Sequence, residues 1–546
     1  MAQYEINNCM DIDAPSITTI NSPAVQAQLS DISTLPDDVL LYLFYMTIHA
    51  PDADPFSPMT FSHVSARWRE LALYAPMLWT TITVAEELSA TMLNFERTLY
   101  RVPHFLERSK DLPLSLHITL HSYHEESAMH HPDHPFAYNV QTFRHHTRRL
   151  SDFLGRHVAR FKSFILVGDE FESVQDIQSS FPHIPMPLLE SYRVWQRDDY
   201  QCLEGDLRDP SHIGALSIPL RPRRMTVEES TLMYPKLVDM TLKGIPLEWF
   251  HFSPRNLQYL HIGFLPIGAR PTGEDFRHIL LANEHSLEAL KIQGACPVNA
   301  SVEPYVLSNL KSFELAFAYP EEAIPLIQSM QTPNLISLSF TDLRRKFVDV
   351  GQRPSVEYDW TTLMLFEEVG KHMPLQSILQ CSLSHVCFLP PLINLHMYPP
   401  IKLASNPGFR DYPIPKTLLR FFRKMTALQL LLVVDPDPCT LRCLNFTKSP
   451  APEGGETDQN PFAGPVPLLS HLHLSDFHLP IVQNFILNRF GNRASARHLE
   501  NLMLSMPATW ADRFGPCLTP LADNVEVYGT IMDSDIEAAL TLPLHH

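Results

Sequence analysis

Glycine is scarce in this chain, 18 residues in 546. No phosphate loop ending in Gly-Lys-Ser/Thr and no Gly-x-Ser-x-Gly elbow occurs, and so few glycines disfavour a dinucleotide-binding turn. Positive charge is also in short supply. Lysine and arginine total 42 against 60 acidic residues, a net charge of −18. Nucleic acid and anionic membrane both call for a basic face, so neither is an expected partner. The small clusters Arg221, Arg223 and Arg224, and Arg344 to Lys346, read as ordinary solvated surface. Long apolar runs are missing too. The longest, Leu428 to Val434, contains Gln429 and is too short to span a bilayer. No basic stretch followed by an apolar core stands at the N-terminus, so no signal peptide is expected. The eight cysteines are scattered. Cys439 and Cys443, or Cys381 and Cys387, have no matching second pair, so neither a zinc framework nor a disulfide scaffold is expected. Buried reduced thiols in a cytoplasmic or nuclear protein are the expectation. No nuclear-import run decides between those two compartments.

What is abundant is proline, 48 residues, within a chain that is 45% hydrophobic. That combination predicts a large core built from many short elements, because an interior proline costs a helix about 3 kcal/mol. Residues 1–30 are polar and read as a flexible leader. From Leu35 the pattern tightens. Pro36 suits the first position of a helix, and Asp37 and Asp38 place negative charge at its positive end. Val39, Leu40, Leu43 and Phe44 then recur at helical spacing. The segment Pro51 to Pro58 must break that helix. A second helical pattern puts Val64, Trp68, Leu71 and Ala72 on one stripe, Pro76 ends it, and Leu78 and Trp79 pack behind.

The order Leu-Pro, Val-Ser, Arg-Trp, Leu-Ala and Leu-Trp over residues 35 to 82 resembles an F-box. Two features depart from the usual pattern. Asp38 stands where Glu is customary, and the loop holding Pro51, Pro55 and Pro58 is long. Neither removes an apolar docking residue. The resemblance implies that Leu35, Pro36, Val39, Leu40, Val64, Trp68 and Leu71 bind Skp1 or build the module that does.

A second pattern follows. Asp111 to Leu120 alternates apolar and polar residues, as a half-buried strand does. Apolar residues then recur at i, i+3, i+5 and often i+8. Leu237, Met240, Leu242 and Ile245 are one instance, and Leu257, Leu260, Ile262 and Leu265 another. Leu335, Leu338, Phe340, Leu343 and Leu469, Leu472, Leu474, Phe477 repeat it. Shorter versions begin at Leu287, Leu310, Leu428 and Leu499, and Leu189, Tyr192, Val194 is a weaker one. This is the leucine-rich-repeat signature of short strand, turn, helix and return. Phe276, Ile279 and Leu280 mark one intervening helix. The asparagine or cysteine that normally follows the strand is mostly missing, and several gaps are long. The expected fold class is therefore α/β: a small helical F-box followed by an irregular leucine-rich-repeat solenoid, with short parallel strands alternating with helices. The expected organisation is a leader at 1–30, an F-box at 31–84, a linker helix and first irregular repeats with a His-rich insert at 85–185, and the irregular repeat domain at 186–546. Residues 445–467 within that domain read as an exposed loop.

No nucleophile–base pair and no catalytic residue emerge from the sequence. The His-rich stretch from His121 to Arg149 contains His121, His124, His130, His131, His134, His145 and His146, residue types that can bind zinc or nickel. It lacks the zincin spacing and reads first as a polar surface loop, so no metal and no cofactor are expected. The chemistry to look for is recognition. Residues flanking the inward leucines of each strand share one surface, which can offer several side chains to a folded partner. Tyr259, His261, His471 and His473 are the leading target-binding candidates, since aromatic and amphipathic groups contribute most per contact, with Lys291 beside them.

The whole arrangement resembles the F-box and leucine-rich-repeat proteins of mushroom-forming (basidiomycete-type) fungi. That resemblance implies a non-catalytic substrate receptor of a Skp1–cullin–F-box ubiquitin ligase, binding Skp1, through it cullin, and a protein target. Two alternatives stay open: a binding scaffold without ubiquitin transfer, and a metal-binding enzyme using the His-rich insert.

Overall fold

The computed structural model describes residues 32–50, 57–84, 92–120, 140–168, 171–178, 181, 185–196, 234–245, 247, 249, 254–300, 303–347, 360–388, 415–436, 438–444, 468–475, 482, 501–507 and 525–530. The leader, the histidines from His121 to His134 and the 445–467 loop lie outside them. The chain divides into two units, one ending at Trp79 and one starting at Thr80.

The first unit is helical. Helix α1 (Asp37–Ile48) has Asp37 and Asp38 in its first turn, as the sequence indicates, with Pro36 as its N-cap rather than its first helical residue. Arg67 secures that end: its Nε and Nη2 donate to Asp37 Oδ1 at 2.9 and 2.6 Å, and Nη2 also reaches the Leu35 carbonyl at 2.5 Å. The second helical pattern is two helices, not one: α2 (Ser57–Val64) and α3 (Ala66–Tyr74). Ser65 separates them. Its backbone is extended (φ −154°, ψ 167°) and its side chain accepts from the Trp68 N–H, capping α3. The break takes Val64 off the buried stripe, leaving it 58% exposed while Ala72 is fully buried. Phe44 stacks on Phe61 at 4.3 Å and lies 4.8 Å from Trp68. Pro76 starts a short 3-10 turn that buries Leu78 and Trp79, and the Trp79 indole N–H donates to the Ala72 carbonyl at 2.8 Å.

The second unit is an α/β assembly around one large open sheet of fourteen strands, every pair parallel. Along the chain the strands are β1 (Thr81–Val84), β2 (Leu114–Leu120), β3 (Phe161–Gly168), β4 (Ser191–Gln196), β5 (Asp239–Lys243), β6 (Tyr259–Gly263) and β7 (Ala289–Gln293). A two-residue β8 (Tyr305–Val306) precedes β9 (Ser312–Phe317), and β10 (Met330–Gln331) precedes β11 (Ser337–Asp342). Then come β12 (Gln380–Ser384), β13 (Leu430–Val434), β14 (His471–Ser475), β15 (Asn501–Pro507) and β16 (Val525–Thr530). Only β8 and β10 stand apart, paired with each other. Order in the sheet is order in the chain. The sheet begins at β1, inside the 31–84 range drawn from the sequence, so the helical unit stops five residues sooner.

The repeated leucines explain the register. Met240, Leu260, Leu290, Phe313, Leu338, Cys381, Leu431, Leu472 and Leu502 stand in one row across the sheet. Leu242, Ile262, Ile292, Leu315, Phe340, Leu383, Val433, Leu474 and Leu504 stand two residues on. Every member of both rows is buried. Several strands leave the sheet the same way: Gly244, Phe264, Gly294, His385 and Asp435 have φ between 50° and 67°. Each donates its N–H to a carbonyl at the end of the neighbouring strand, the last residue in four cases and the penultimate Ala316 for Gly294, at 2.6 to 2.9 Å. The residue in this left-handed turn is glycine only twice.

Helices connect the strands. The chain places α4 (Met92–Arg108), α5 (Val140–Gly155), α6 (Phe171–Gln178), α7 (Gly273–Ala282), α8 (Pro320–Ser329), α9 (Leu343–Phe347), α10 (Trp360–His372), α11 (Lys416–Lys424) and α12 (Pro438–Leu444) between them. Helix α7 contains the predicted Phe276, Ile279 and Leu280, all buried, and starts with a Thr272–Asp275 capping box. Helices α8, α10, α11 and α12 pack in sequence order. Beneath them Phe340, Phe366, Phe388, Phe421 and Phe422 form a continuous aromatic cluster. The described cysteines Cys296, Cys381, Cys387, Cys439 and Cys443 are buried. Burial pushes the Cys296 and Cys381 thiols up to about 12. No helix among the described residues is long and apolar enough to cross a membrane.

Candidate interaction surfaces

Helix α1 is apolar on nearly every side, and the structure splits those residues. Leu40 and Phe44 are buried. Val39, Tyr42, Leu43 and Met46 are exposed by 38, 61, 42 and 51%. Spaced i, i+3, i+4 and i+7, these four make a stripe on the solvent side. The sequence grouped Val39 and Leu43 with Leu40 and Phe44 on one face; the helix turns the two pairs to different environments. Of the other docking candidates, Pro36 is exposed, Leu35, Trp68 and Leu71 are half-buried, and Val64 is exposed. A helix carrying apolar residues on both its core side and its solvent side has a surface that water disfavours. Covering these half-exposed side chains would contribute about 1 kcal/mol each, roughly half the ~1.5–3 kcal/mol of a complete burial.

The second surface is the face of the sheet opposite the leucine rows. Its central row runs Arg193, Thr241, His261, Lys291, Glu314, Ser339, Ser382, Leu432, His473 and Met503 through neighbouring strands. On β4 to β9 these side chains and their strand neighbours form two polar groups. Arg193 binds Asp239 Oδ2 through Nε at 2.8 Å and Nη2 at 2.5 Å, and Ser191 Oγ donates to the same oxygen at 3.0 Å. His261 Nε2 and Gln293 Oε1 are 2.9 Å apart, Gln293 Nε2 donates to Glu314 Oε1 at 3.0 Å, and Lys291 Nζ pairs with that oxygen at 2.9 Å. Tyr259 meets the His261 ring edge-on, and Lys243 Nζ lies 5.2 Å from the centre of the Phe264 ring. Thus Tyr259, His261 and Lys291 are brought together. His471 and His473 sit on β14, six strand spacings of about 4.8 Å from β6. There Ser470 Oγ meets His471 Nδ1 at 2.8 Å and His473 Nε2 meets Ser505 Oγ at 2.6 Å. Ser505 is buried, so this Ser–His pair does not present a nucleophile to solvent.

Sequence reasoning passed over Arg193, because the apolar signal of β4 is weak. Gln293 and Glu314 were legible as surface residues, and only the register shows that they join His261 to Lys291. Leu430, Leu432 and Val434, also on this face, are half-buried or buried. Of the His-rich stretch, His145 is exposed and His146 buried. Among the described residues no group of three or more His, Cys, Asp or Glu side chains could hold a metal ion.

His261 titrates well below the ordinary 6.5, first because it is buried and then because Lys291, Lys243 and Arg193 lie near. The unfolded chain therefore takes up a proton that the folded one refuses. Stability from this residue is fully present above pH 6.5 and is lost as pH falls through the window beneath. The thermal midpoint is expected to drop between pH 7 and pH 5, with a shallower drop for His261→Gln. An identical slope in that variant would contradict this assignment.

No protein-family model matches the sequence, and no curated protein matches it.

Proposed function

We propose that this chain is a substrate-recognition adaptor of a Skp1–cullin–F-box ubiquitin ligase. In this reading the helical unit is the F-box and docks Skp1, while the second unit is an irregular leucine-rich-repeat domain that holds a protein target. The observation that carries the reading is the exposed apolar α1 stripe of Val39, Tyr42, Leu43 and Met46, on a unit that buries Leu40, Phe44, Ala72, Leu78 and Trp79. The two rows of buried leucine-type residues in chain-ordered parallel strands support the repeat assignment. Target recognition falls to the opposite face, with the Tyr259–His261–Lys291 group as its centre and His471 and His473 as a separate contact. Catalysis belongs to other subunits, and the adaptor contributes proximity. The site of action is the cytoplasm or the nucleus.

The test is capture of purified Skp1 by the full-length chain. Wild-type protein is expected to retain Skp1, and Val39→Glu combined with Met46→Glu to lose it, because two carboxylates would be carried into an apolar interface. Retention by the double variant, or no capture by the wild type, would overturn the assignment.

A further inference from the structure

Helix α11 reads Lys-Thr-Leu-Leu-Arg-Phe-Phe-Arg-Lys from Lys416 to Lys424. Leu418, Phe421 and Phe422 are buried, so the opposite side must face out. That side carries Lys416, Arg420, Arg423 and Lys424, all exposed. Lys424 is engaged, since its Nζ donates to the Gly370 carbonyl at 2.5 Å. Lys416, Arg420 and Arg423 form no ion pair or hydrogen bond among the described residues. They stand at i, i+4 and i+7, one stripe about 10 Å long.

The neighbours do not neutralise it. On α10, which packs against α11, Glu367 and Glu368 are taken by Lys371 at 3.1 and 2.8 Å, and His372 lies 3.3 Å from Glu368. On the other side α12 carries Arg442 and no carboxylate. Although the chain has 60 acidic residues, none among the described residues pairs with these three adjacent cations.

We propose that the solvent face of α11 is a docking site for a short acidic segment of a protein partner, held by Lys416, Arg420 and Arg423. The two guanidinium groups offer forked donors that match carboxylates, and Lys416 adds a point charge. A stripe of this length spans about four extended residues at ~3.3 Å each. The size of the patch selects the class of partner. At 0.1 M salt, charge is screened beyond about 10 Å, the length of the stripe itself. A nucleic-acid duplex or a vesicle surface extends past that distance and meets a protein whose net charge is −18. A short acidic peptide does not. This site shares no residue with the α1 stripe or the Tyr259–His261–Lys291 group, and it stands whether or not the adaptor reading does.

The experiment is a fluorescence-anisotropy titration of the full-length chain with a fluorescein-labelled tetraglutamate peptide. Arg420→Glu with Arg423→Glu is compared with a charge-matched control, Lys162→Glu with Lys311→Glu, at exposed cations elsewhere. Wild type and control are expected to bind alike, the α11 variant about tenfold or more weakly, and a tetralysine peptide not at all. Equal binding by both variants, equal loss in both, or no binding by the wild type overturns the proposal. So does tighter capture of duplex DNA or of phosphoinositide vesicles through the same two arginines, since the occupant would then be an extended polyanion.

Discussion

Leu40→Asp is expected to unfold the helical unit, where Val39→Glu with Met46→Glu leaves it folded. Leu40 and Val39 are adjacent in sequence and both apolar, yet Leu40 is fully buried and Val39 is 38% exposed. Removing a buried leucine side chain costs about 2–5 kcal/mol, and an unpaired carboxylate in its place adds the penalty of desolvating a charge. The described residues of this unit number 42, a size whose whole stability is roughly 2–6 kcal/mol. The substitution therefore removes most or all of it. Limited proteolysis with cut sites mapped by mass spectrometry reads the result: new cuts within 35–79 for Leu40→Asp, none there for the double glutamate variant, and a protected sheet in both. Protection of 35–79 in Leu40→Asp would show that the core has been placed wrongly. The contrast also makes Skp1 capture interpretable, because loss in the double variant then reports docking and loss in Leu40→Asp reports folding.

The second large effect is expected at Phe366. Its ring is fully buried and lies 5.1 Å from Phe340, 4.8 Å from Phe388 and 4.9 Å from Phe421, the last two edge-on. Phe366→Ala opens a cavity where α10, α11 and β11 meet. A buried phenylalanine replaced by alanine costs about 3–5 kcal/mol, part of it from aromatic pairs worth ~0.5–1.5 kcal/mol each. Phe366→Leu is expected to recover roughly half, because it restores volume without ring geometry. Hydrogen exchange should localise the damage: faster exchange in β11, β12, α10 and α11, and little change at β2 and β3. A urea midpoint unmoved by Phe366→Ala would contradict the packing described.

Much of the sheet is legible in the amino-acid sequence because its strands use leucine at two fixed places. The strands that escape notice depart from that usage. In β3 the pattern is Phe161, Phe164 and Leu166, and in β12 it is Ile378, Cys381 and Leu383, all buried and all at the same spacing. Phenylalanine and cysteine fill the same row as leucine, so volume and apolarity, not residue name, set the register. The left-handed strand exits are invisible for a different reason. Phe264, His385 and Asp435 adopt a conformation that glycine or asparagine would have signalled. On α1, helical spacing cannot tell Leu40 from Val39. Both positions are apolar, and only tertiary packing, such as that of Phe61 and Trp68 on the neighbouring Phe44, decides which is interior. The polar network around His261 needs partners 21 to 32 residues apart in sequence, which meet only after strands have been placed side by side.

Order in the sheet is order in the chain, and this bears on how such a molecule can change over generations. Because each strand is flanked only by its predecessor and successor in sequence, a repeat can be lengthened, duplicated or deleted without rethreading any other part of the backbone. The connection from β12 to β13 is 45 residues long and that from β6 to β7 is 25, yet both deliver the next strand to the same register. Drift in connection length is thus uncoupled from the spacing of the polar row. The side chains of that face are free to diverge one strand at a time, while the buried rows hold the ruler on which they are written.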